Sequence, residues 1–455
     1  MNEIKRLLMT TIIDEIKKTP TLEGQLKTKF GLLINPFPKS GIANLSDPER
    51  VTAALAPIHH DTLQKVINYM KDAIAGGGSG KDKYVSLIVR GEYGSGKTQL
   101  LMYLKYLFSQ LTSEEFHPFV VYLDNPGLSI SELIGNVISQ IGVENFRRYL
   151  WDTFISYLND GDSVSDGEQT RKERFESEIN AIIRDDSGLF PNNQTFNFDD
   201  TLLSYKALMD KIISLSRKAI QKQIGEVLKR YMCECLIEKF QHATVVDYFY
   251  NIVSENVNML KSWGAIIDGG IKNMDNRSVN ILNAIVEIVK KYINCTDFII
   301  LVDEFEEIAT GRLKDSDLDI YLRNLRTLID REREWCSVFA MTGIAYEKVR
   351  SVSPPLASRI GDRIVDLKPF NYEDFKKVVT EYLNLAREKT SDSIFPFTEE
   401  ALKRMMEPKN SLYKGSPRFL LKNCYMLLQR AAEKLEKSQA IEKKFVDEYM
   451  ADDLQ

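Results

Sequence analysis

Cysteine pairs, long apolar runs and an excess of basic charge are all missing from this sequence. Its 455 residues include five cysteines, and their positions show no paired spacing of the kind that holds zinc. We therefore expect no disulfide framework and a reducing, cytoplasmic compartment. No stretch reaches the roughly 18 apolar residues of a membrane span. Residues 1–18 are too charged for a signal peptide, so no membrane partner is expected.

The overall charge limits the class of partner. The formal net charge of −5 at pH 7 argues against a protein coated with basic surface. Basic residues nevertheless outnumber acidic ones between residues 401 and 445, which leaves a local nucleic-acid path open. The length is enough for roughly two to four domains of ordinary size.

A glycine-rich segment follows a predicted strand at 85–89 and precedes a predicted helix at 100–107. It reads Gly91-Glu92-Tyr93-Gly94-Ser95-Gly96-Lys97-Thr98-Gln99. Its glycines allow backbone N–H groups to converge on a polyphosphate, and the helix that begins near Lys97 points its positive end there. We expect Lys97 to reach the β- and γ-phosphates and Thr98 to bind Mg²⁺. The segment therefore predicts a phosphate-binding loop.

Two carboxylates end a predicted buried strand much further along the chain, at 297–304. Mg²⁺ beside a phosphate loop needs a carboxylate at the end of a neighbouring strand, and Asp303 provides one. Glu304 can accept a proton from an attacking water. Glu306 and Glu307 are interpreted as acids at the start of a helix.

Three polar residues near later strands complete the candidate site. Thr342 ends a predicted strand at 335–342 and could orient the water, although threonine is also common in strands. Arg359 precedes a predicted strand at 363–367, and Arg418 opens an apolar helix. An arginine near the γ-phosphate stabilises the charge of the transition state. Each arginine has the alternative of being an ordinary surface group.

The spacing of the predicted strands divides the chain. Residues 143–290 are mostly helical in pattern and separate the second strand from the third, which indicates a helical insertion or a simple lengthening of the fold. The predicted segments are 1–60 (helix and arm), 61–142 (first part of an α/β core), 143–290 (insertion), 291–370 (second part of the core) and 371–455 (helices).

Two surface features allow two interpretations each. Prolines flank Phe37 in Asn35-Pro36-Phe37-Pro38, so this extended segment is either a packed linker or an arm over the nucleotide base. Arg323 and Arg326 lie outside the apolar positions of a predicted helix and form either a solvated face or a contact with a partner.

Taken in order, these motifs resemble an AAA+ ATPase over residues 84–142 and 297–440. The likeness is to the initiator and transposition-helper branch, which includes origin-recognition ATPases and in which an arm like Asn35-Pro36-Phe37 precedes the core. The local sequences of the loop and of Asp303-Glu304-Phe305-Glu306 are also similar to those in ATP-binding proteins of bacterial phage-defence systems such as BREX.

The resemblance implies a fold class and a set of roles. The fold would be α/β, with an AAA+ P-loop core around a parallel five-stranded sheet, a long helical insertion and a C-terminal helical lid. ATP and Mg²⁺ would be bound, and ATP hydrolysed. The implied roles are Asp303 for the metal, Glu304 for catalysis, Thr342 as sensor 1, Arg418 as sensor 2, Arg359 as a finger reaching a neighbouring subunit (with Arg363 as fallback), and Asn35 and Phe37 for the nucleotide.

The function implied is that of a homo-oligomer, a ring or filament, that assembles or remodels a DNA-associated complex, with phage defence as one setting. A first alternative is a slowly hydrolysing switch that recruits a protein effector such as a nuclease. A second is a motor on double-stranded DNA, and a third is a signalling P-loop NTPase outside the AAA+ family. No winged-helix domain is expected after the lid, so sequence-specific DNA reading is not expected either.

Overall fold

The structure is a computed structural model. It describes residues 21–41, 64–69, 86–110, 117–160, 169–186, 195–199, 202–240, 243–254, 285–331, 335–360 and 363–450. Parts of all five predicted segments lie outside these ranges, the longest being residues 1–20 and 42–60 of the first, 70–85 of the second and 255–284 of the insertion.

A five-stranded parallel sheet forms the centre of the molecule, as predicted. Its strands are β1 (Ser86–Arg90), β2 (Pro118–Leu123), β3 (Asp297–Val302), β4 (Trp335–Met341) and β5 (Ile364–Asp366). The spatial order is β2-β3-β4-β1-β5, and every neighbouring pair is parallel. The strands are rich in β-branched and aromatic residues and are almost entirely buried, as expected of a parallel sheet covered on both faces.

The helices are numbered in chain order. They are α1 (Leu22–Phe30), α2 (Lys97–Ser109), α3 (Ile130–Ile141), α4 (Val143–Asn159), α5 (Arg171–Asp186), α6 (Tyr205–Leu215), α7 (Lys218–Phe240), α8 (Ala243–Val253), α9 (Asp315–Arg331), α10 (Gly343–Val352), α11 (Pro354–Ile360), α12 (Tyr372–Leu385), α13 (Glu399–Met405), α14 (Pro417–Lys434) and α15 (Lys443–Tyr449). No helix in the described ranges is both long and apolar enough to cross a membrane.

Alternate residues of each strand enter different apolar cores. Leu87 and Val89 pack with α2 on one face of the sheet. Ile88 faces the other way and belongs to a larger cluster with α3, α9 and α10. The two-residue period of a strand produces this division, since successive side chains point to opposite faces.

The segment between β2 and β3 is helical, as predicted. Its aromatic side chains, among them Trp151, Phe154 and Phe175, belong to the same apolar cluster as one face of the sheet. The helices α7 and α8 pack on each other, and α7 also packs on α5. The insertion therefore extends the core of the sheet domain and has no separate core of its own among the described residues.

The helices from α12 to α15 form a C-terminal helical region with its own apolar cluster. Asn371 and Asp374 form a capping box that fixes the start of α12. The N-terminal helix α1 and the arm up to Phe37 pack into this cluster. Residues 21–37 thus pack with the C-terminal helices, although the two regions were predicted as separate segments.

The strand order places the motifs at one edge of the sheet. β4 lies between β1 and β3, so the glycine loop after β1, Thr342 after β4 and Asp303 after β3 all follow carboxyl ends of neighbouring parallel strands. Ligands of open α/β sheets bind at this edge.

Candidate nucleotide-binding site

The glycine loop joins β1 to α2 as a turn in which two glycines are left-handed. Gly94 has a φ of 75° and Gly96 a φ of 96°. Residues that carry a Cβ atom adopt such positive φ values only with strain. Gly96 caps α2 without a side-chain hydrogen bond, so the first N–H groups of the helix are available to an anion. Ser95 Oγ is buried and has no hydrogen-bond partner among the described residues. These features fit a loop that holds phosphate.

The Lys97 side chain is buried and fully engaged. Its Nζ atom donates to the carbonyl oxygens of Gly91 at 2.9 Å and Glu92 at 3.3 Å. It also lies 3.3 Å from Glu306 Oε1, and both side chains are nearly inaccessible, at 7% and 6% exposed. The ammonium group thus already has three partners within the protein.

Glu306 begins a short helical turn, as predicted, but it also makes a contact that the sequence did not indicate. Its side chain is buried against Lys97 and lines the cavity. Its Oε2 atom has no hydrogen-bond partner among the described residues. Nothing in the local sequence distinguishes Glu306 from Glu307, because the contact with Lys97 depends on how β3 is placed relative to β1.

Asp303 is held in place by two hydrogen bonds. The phenol of Tyr122 donates to Oδ2 at 3.0 Å, and the backbone N–H of Glu304 donates to Oδ1 at 2.9 Å. Burial, followed by the charge of Asp303, raises the pKa of Tyr122, so this phenol stays protonated and can donate. Tyr122 was not singled out from the sequence, where it is one of several large residues in a strand.

Glu304 adopts an unusual backbone conformation for a non-glycine residue. Its φ is 50°, in the left-handed region, where strain of this kind is typical of functional positions. Partial burial, followed by the charges of Glu307 and Asp303, raises the pKa of the Glu304 carboxyl. A raised pKa makes this carboxylate a stronger proton acceptor.

Glu307 is the last of these carboxylates in the chain and directly precedes a short π-helical turn, Ile308–Arg312. Arg312 Nη2 lies 3.1 Å from Glu307 Oε1 and 3.0 Å from Oε2. This ion pair partly offsets the charge of a carboxylate close to Glu304. Insertions of the π type often occur at functional sites.

The C-terminal helical region closes the site from the opposite side. The backbone N–H of Arg418 and the hydroxyl of Ser416 both approach Gly94 O at 3.4 Å. Ser416 caps α14, so a second helix begins at the loop. Gly41 also packs here, where an added Cβ would lie 2.2 Å from Arg418 O.

Between these walls lies a cavity of about 220 Å³. Among the described residues, its lining consists of loop residues 93–99, four carboxylates, Gly41, Phe370 and the start of α14. The carboxylates are Asp303, Glu304, Glu306 and Glu307, and the cationic side chains lining the cavity are Lys97 and Arg418. The ends of two strands and two helices therefore meet around one cavity that holds both charged and apolar side chains.

Several predicted site residues do not line this cavity. Gly91 continues the β1–β4 pairing by donating to Met341 O at 3.1 Å, and the exposed Glu92 lies near Gly343. Thr342 is buried and caps α10, with Oγ1 accepting from Ala345 N–H at 3.2 Å. Its predicted contact with water or phosphate stays a prediction.

The two candidate fingers also lie outside the cavity. Arg359 is exposed on α11, and Arg363 is half-buried at the start of β5. An exposed position outside the chain's own cavity is compatible with a role in a neighbouring subunit's site.

The arm residues pack against the C-terminal helices. Phe37 is 1% exposed, stacks on Tyr382 with ring centroids 5.5 Å apart, and meets Phe397 edge-on at 6.0 Å. Asn35 Nδ2 donates to Tyr425 O at 3.0 Å, and its Oδ1 accepts from Phe37 N–H. These contacts favour the packed-linker interpretation, and Gly41 is the arm residue that reaches the cavity.

The donor set fits Mg²⁺ bound together with a polyphosphate. Thr98 and Asp303 both line the cavity and offer a hydroxyl and a carboxylate, which are ligands for a hard cation. Within the described ranges, no group of three acidic, histidine or cysteine side chains is arranged for a metal ion. Mg²⁺ is usually held by one or two carboxylates with substrate phosphates and water, which matches this sparse set.

Comparisons with known proteins give a weak likeness to solved structures. No family model and no curated protein matches the sequence. Among solved structures, the chain is similar to the ORC2 protein of Aeropyrum pernix, determined as ADPNP–ADP complexes. The identity is 11%, the TM-score 0.43, and the match covers 87% of this chain and 69% of that one. A likeness this weak carries no argument, so the functional conclusion depends on the site itself.

Proposed function

We propose that this protein is an Mg²⁺-dependent ATPase of the AAA+ type that works as a homo-oligomer. The observation that supports this most is the cavity between the sheet and the C-terminal helical region. There the glycine loop, Lys97 and Thr98 face Asp303 and Glu304, with Arg418 at the opposite wall. The C-terminal helical region would act as the lid over the nucleotide.

Each residue has a role that follows from its chemistry. The loop N–H groups and Lys97 bind the phosphates, and Thr98 and Asp303 would hold Mg²⁺, which would supply positive charge against the phosphate oxygens. Tyr122 orients Asp303 through its hydrogen bond. Glu304 accepts a proton from the attacking water, and Arg418 places its guanidinium where charge builds up on the γ-phosphate.

Turnover of ATP by purified protein tests this proposal. Glu304→Gln should bind Mg-ATP as the wild type does but lose turnover by about 10²–10⁴-fold, the usual contribution of a positioned general base. Glu347→Gln, an exposed carboxylate on α10, is the matched control and should keep its activity. Undiminished turnover in Glu304→Gln would contradict the assignment of the base.

Arg359 is proposed to act in the site of a neighbouring subunit. Arg359→Ala subunits should be inactive alone, and mixing them with Glu304→Gln subunits should restore part of the turnover. Both groups are intact wherever an Arg359→Ala subunit supplies the base and a Glu304→Gln subunit supplies the finger. Arg350→Ala, another exposed arginine nearby, serves as the control. If the mixed subunits stay inactive, Arg359 does not act as a finger in trans, and Arg363 becomes the candidate.

The remaining roles stay predictions from resemblance. These are phage defence, an effector such as a nuclease, and double-stranded DNA as a partner. Stimulation of turnover by double-stranded DNA would favour the motor. Oligomers that form on ATP without such stimulation would favour the switch.

A further inference from the structure

Lys97 and Glu306 form a buried ion pair inside the proposed phosphate site. The two side chains are 7% and 6% exposed, and Nζ lies 3.3 Å from Oε1. Lys97 Nζ also donates to Gly91 O and Glu92 O. An ammonium group has three donors, so its capacity is filled by protein atoms alone. A phosphate that reaches Lys97 must therefore replace one of these partners.

Of these three partners, Glu306 is the one that a phosphate most readily replaces. The carbonyls of Gly91 and Glu92 belong to the loop itself, close to Lys97 in the chain. Glu306 comes from the segment after β3, and its second oxygen has no hydrogen-bond partner among the described residues. Phosphate and carboxylate are both anions that compete for the same ammonium group.

The other charges of the cavity add to this competition. Asp303, Glu304 and Glu307 line the same space as Glu306, against the cations of Lys97 and Arg418. Glu307 is paired with Arg312, whereas Glu306 is paired with the lysine that the phosphates need. When Lys97 turns from Glu306 to a polyphosphate in the cavity, the negative charge of Glu306 is no longer offset by the lysine. That charge then repels the phosphate.

We propose that Glu306 restrains Lys97 and competes with the nucleotide's phosphates for it. Glu306 then weakens nucleotide affinity, and its displacement moves the segment that also carries Glu304. Arrival of the β- and γ-phosphates is in this way coupled to the position of the catalytic carboxylate. This inference rests on the proposed ATP-binding function, and Glu306 acts as a positioning residue through Lys97.

The test measures affinity for Mg-ATP by calorimetry in the wild type, Glu306→Gln and Glu347→Gln. Glu306→Gln keeps the shape but removes the charge, and we expect binding to tighten by about tenfold, as for loss of one competing charge at a partly screened site. Glu347→Gln is the matched control, since Glu347 is an exposed carboxylate on α10 that does not line the cavity; its affinity should change less than about threefold. A residue with a purely structural role would weaken binding when replaced.

The outcomes separate this inference from the proposed function. Wild-type protein that binds no ATP would overturn the proposed function. Wild-type binding with an unchanged or weaker affinity in Glu306→Gln would overturn the role of Glu306 and leave the ATP site standing. If Glu306→Gln fails to fold, as judged by its melting temperature, Glu306→Asp replaces it. That variant withdraws the carboxylate from Lys97, and we expect binding to tighten by about threefold; no tightening there would also overturn the inference.

Discussion

The cavity has two walls that hold their charges in different ways. The sheet wall consists of the loop after β1 and the carboxylates after β3, and the helical wall of the start of α14. On the sheet side, Lys97 and Asp303 are 7% and 2% exposed, and each is fixed by specific partners. On the helical side, Arg418 is exposed, and the buried material behind it is apolar, with Phe37 and Phe419 in the cluster. Buried charges need partners to offset desolvation, so the sheet wall is rigidly organised. An exposed arginine on a separately packed region can move as that region moves.

The largest expected effect lies in the apolar packing of the helical wall. Phe37→Ala should lower the free energy of unfolding of the C-terminal helical region by about 3–5 kcal/mol, since it removes a fully buried ring. Chemical denaturation measures this, and Leu33→Ala, at a half-exposed position of the same arm, is the control. Unchanged stability combined with weaker ATP binding would instead support an arm that contacts the base.

The next effect belongs to the buried charge of the sheet wall. Lys97→Ala should weaken Mg-ATP binding by about 100-fold or more, because it removes a charge-assisted contact to phosphate and leaves Glu306 uncompensated. Calorimetry measures the affinity, with Lys348→Ala as control, since Lys348 is a partly exposed lysine paired with Asp315. If Lys97→Ala still bound ATP, the buried charge of the sheet wall would not be essential for binding. The proposed difference between the two walls would then be wrong.

A smaller effect tests how the sheet wall is organised. Tyr122→Phe removes the hydrogen bond to Asp303 Oδ2, and the Mg²⁺ concentration needed for half-maximal turnover should rise by about tenfold. Tyr103→Phe, on α2, is the control because its phenol does not contact Asp303. An unchanged Mg²⁺ requirement would show that Asp303 does not depend on Tyr122 for its orientation.

The smallest effect concerns the contact between the walls. Ser416→Ala removes the cap of α14 and should cost about 1 kcal/mol of stability. Thr398→Ala removes the equivalent cap of α13, away from the cavity, at a similar cost. We expect only Ser416→Ala to shift ATP affinity, by roughly two- to threefold, because Ser416 also approaches Gly94 O. Equal affinities in the two variants would mean that the walls act independently.

Local sequence patterns predicted the framework of this molecule. The strands β1, β3, β4 and β5 lie within two residues of their predicted bounds, and the loop, Asp303 and Glu304 follow the strands to which they were assigned. These features are encoded over short spans, by apolar runs for strands and by glycines where the backbone must turn. Arg418 was likewise placed correctly at the start of an apolar helix, and it lines the cavity.

Other contacts of the site were beyond prediction because they join distant segments. The hydrogen bond from Tyr122 to Asp303 spans 181 positions and exists because β2 and β3 pair in one register. The arm at Phe37 was left open between two interpretations, and the packing against Tyr382 favours the linker.

By itself, the sequence determined where the strands, the phosphate loop and the carboxylates lie along the chain, since those depend on residues close to one another. The tertiary structure alone decided which acid meets Lys97. Glu306 and Glu307 are equivalent in sequence, but one is buried on the lysine and the other pairs with Arg312. The placement of β3 relative to β1, with β4 between them, sets that choice.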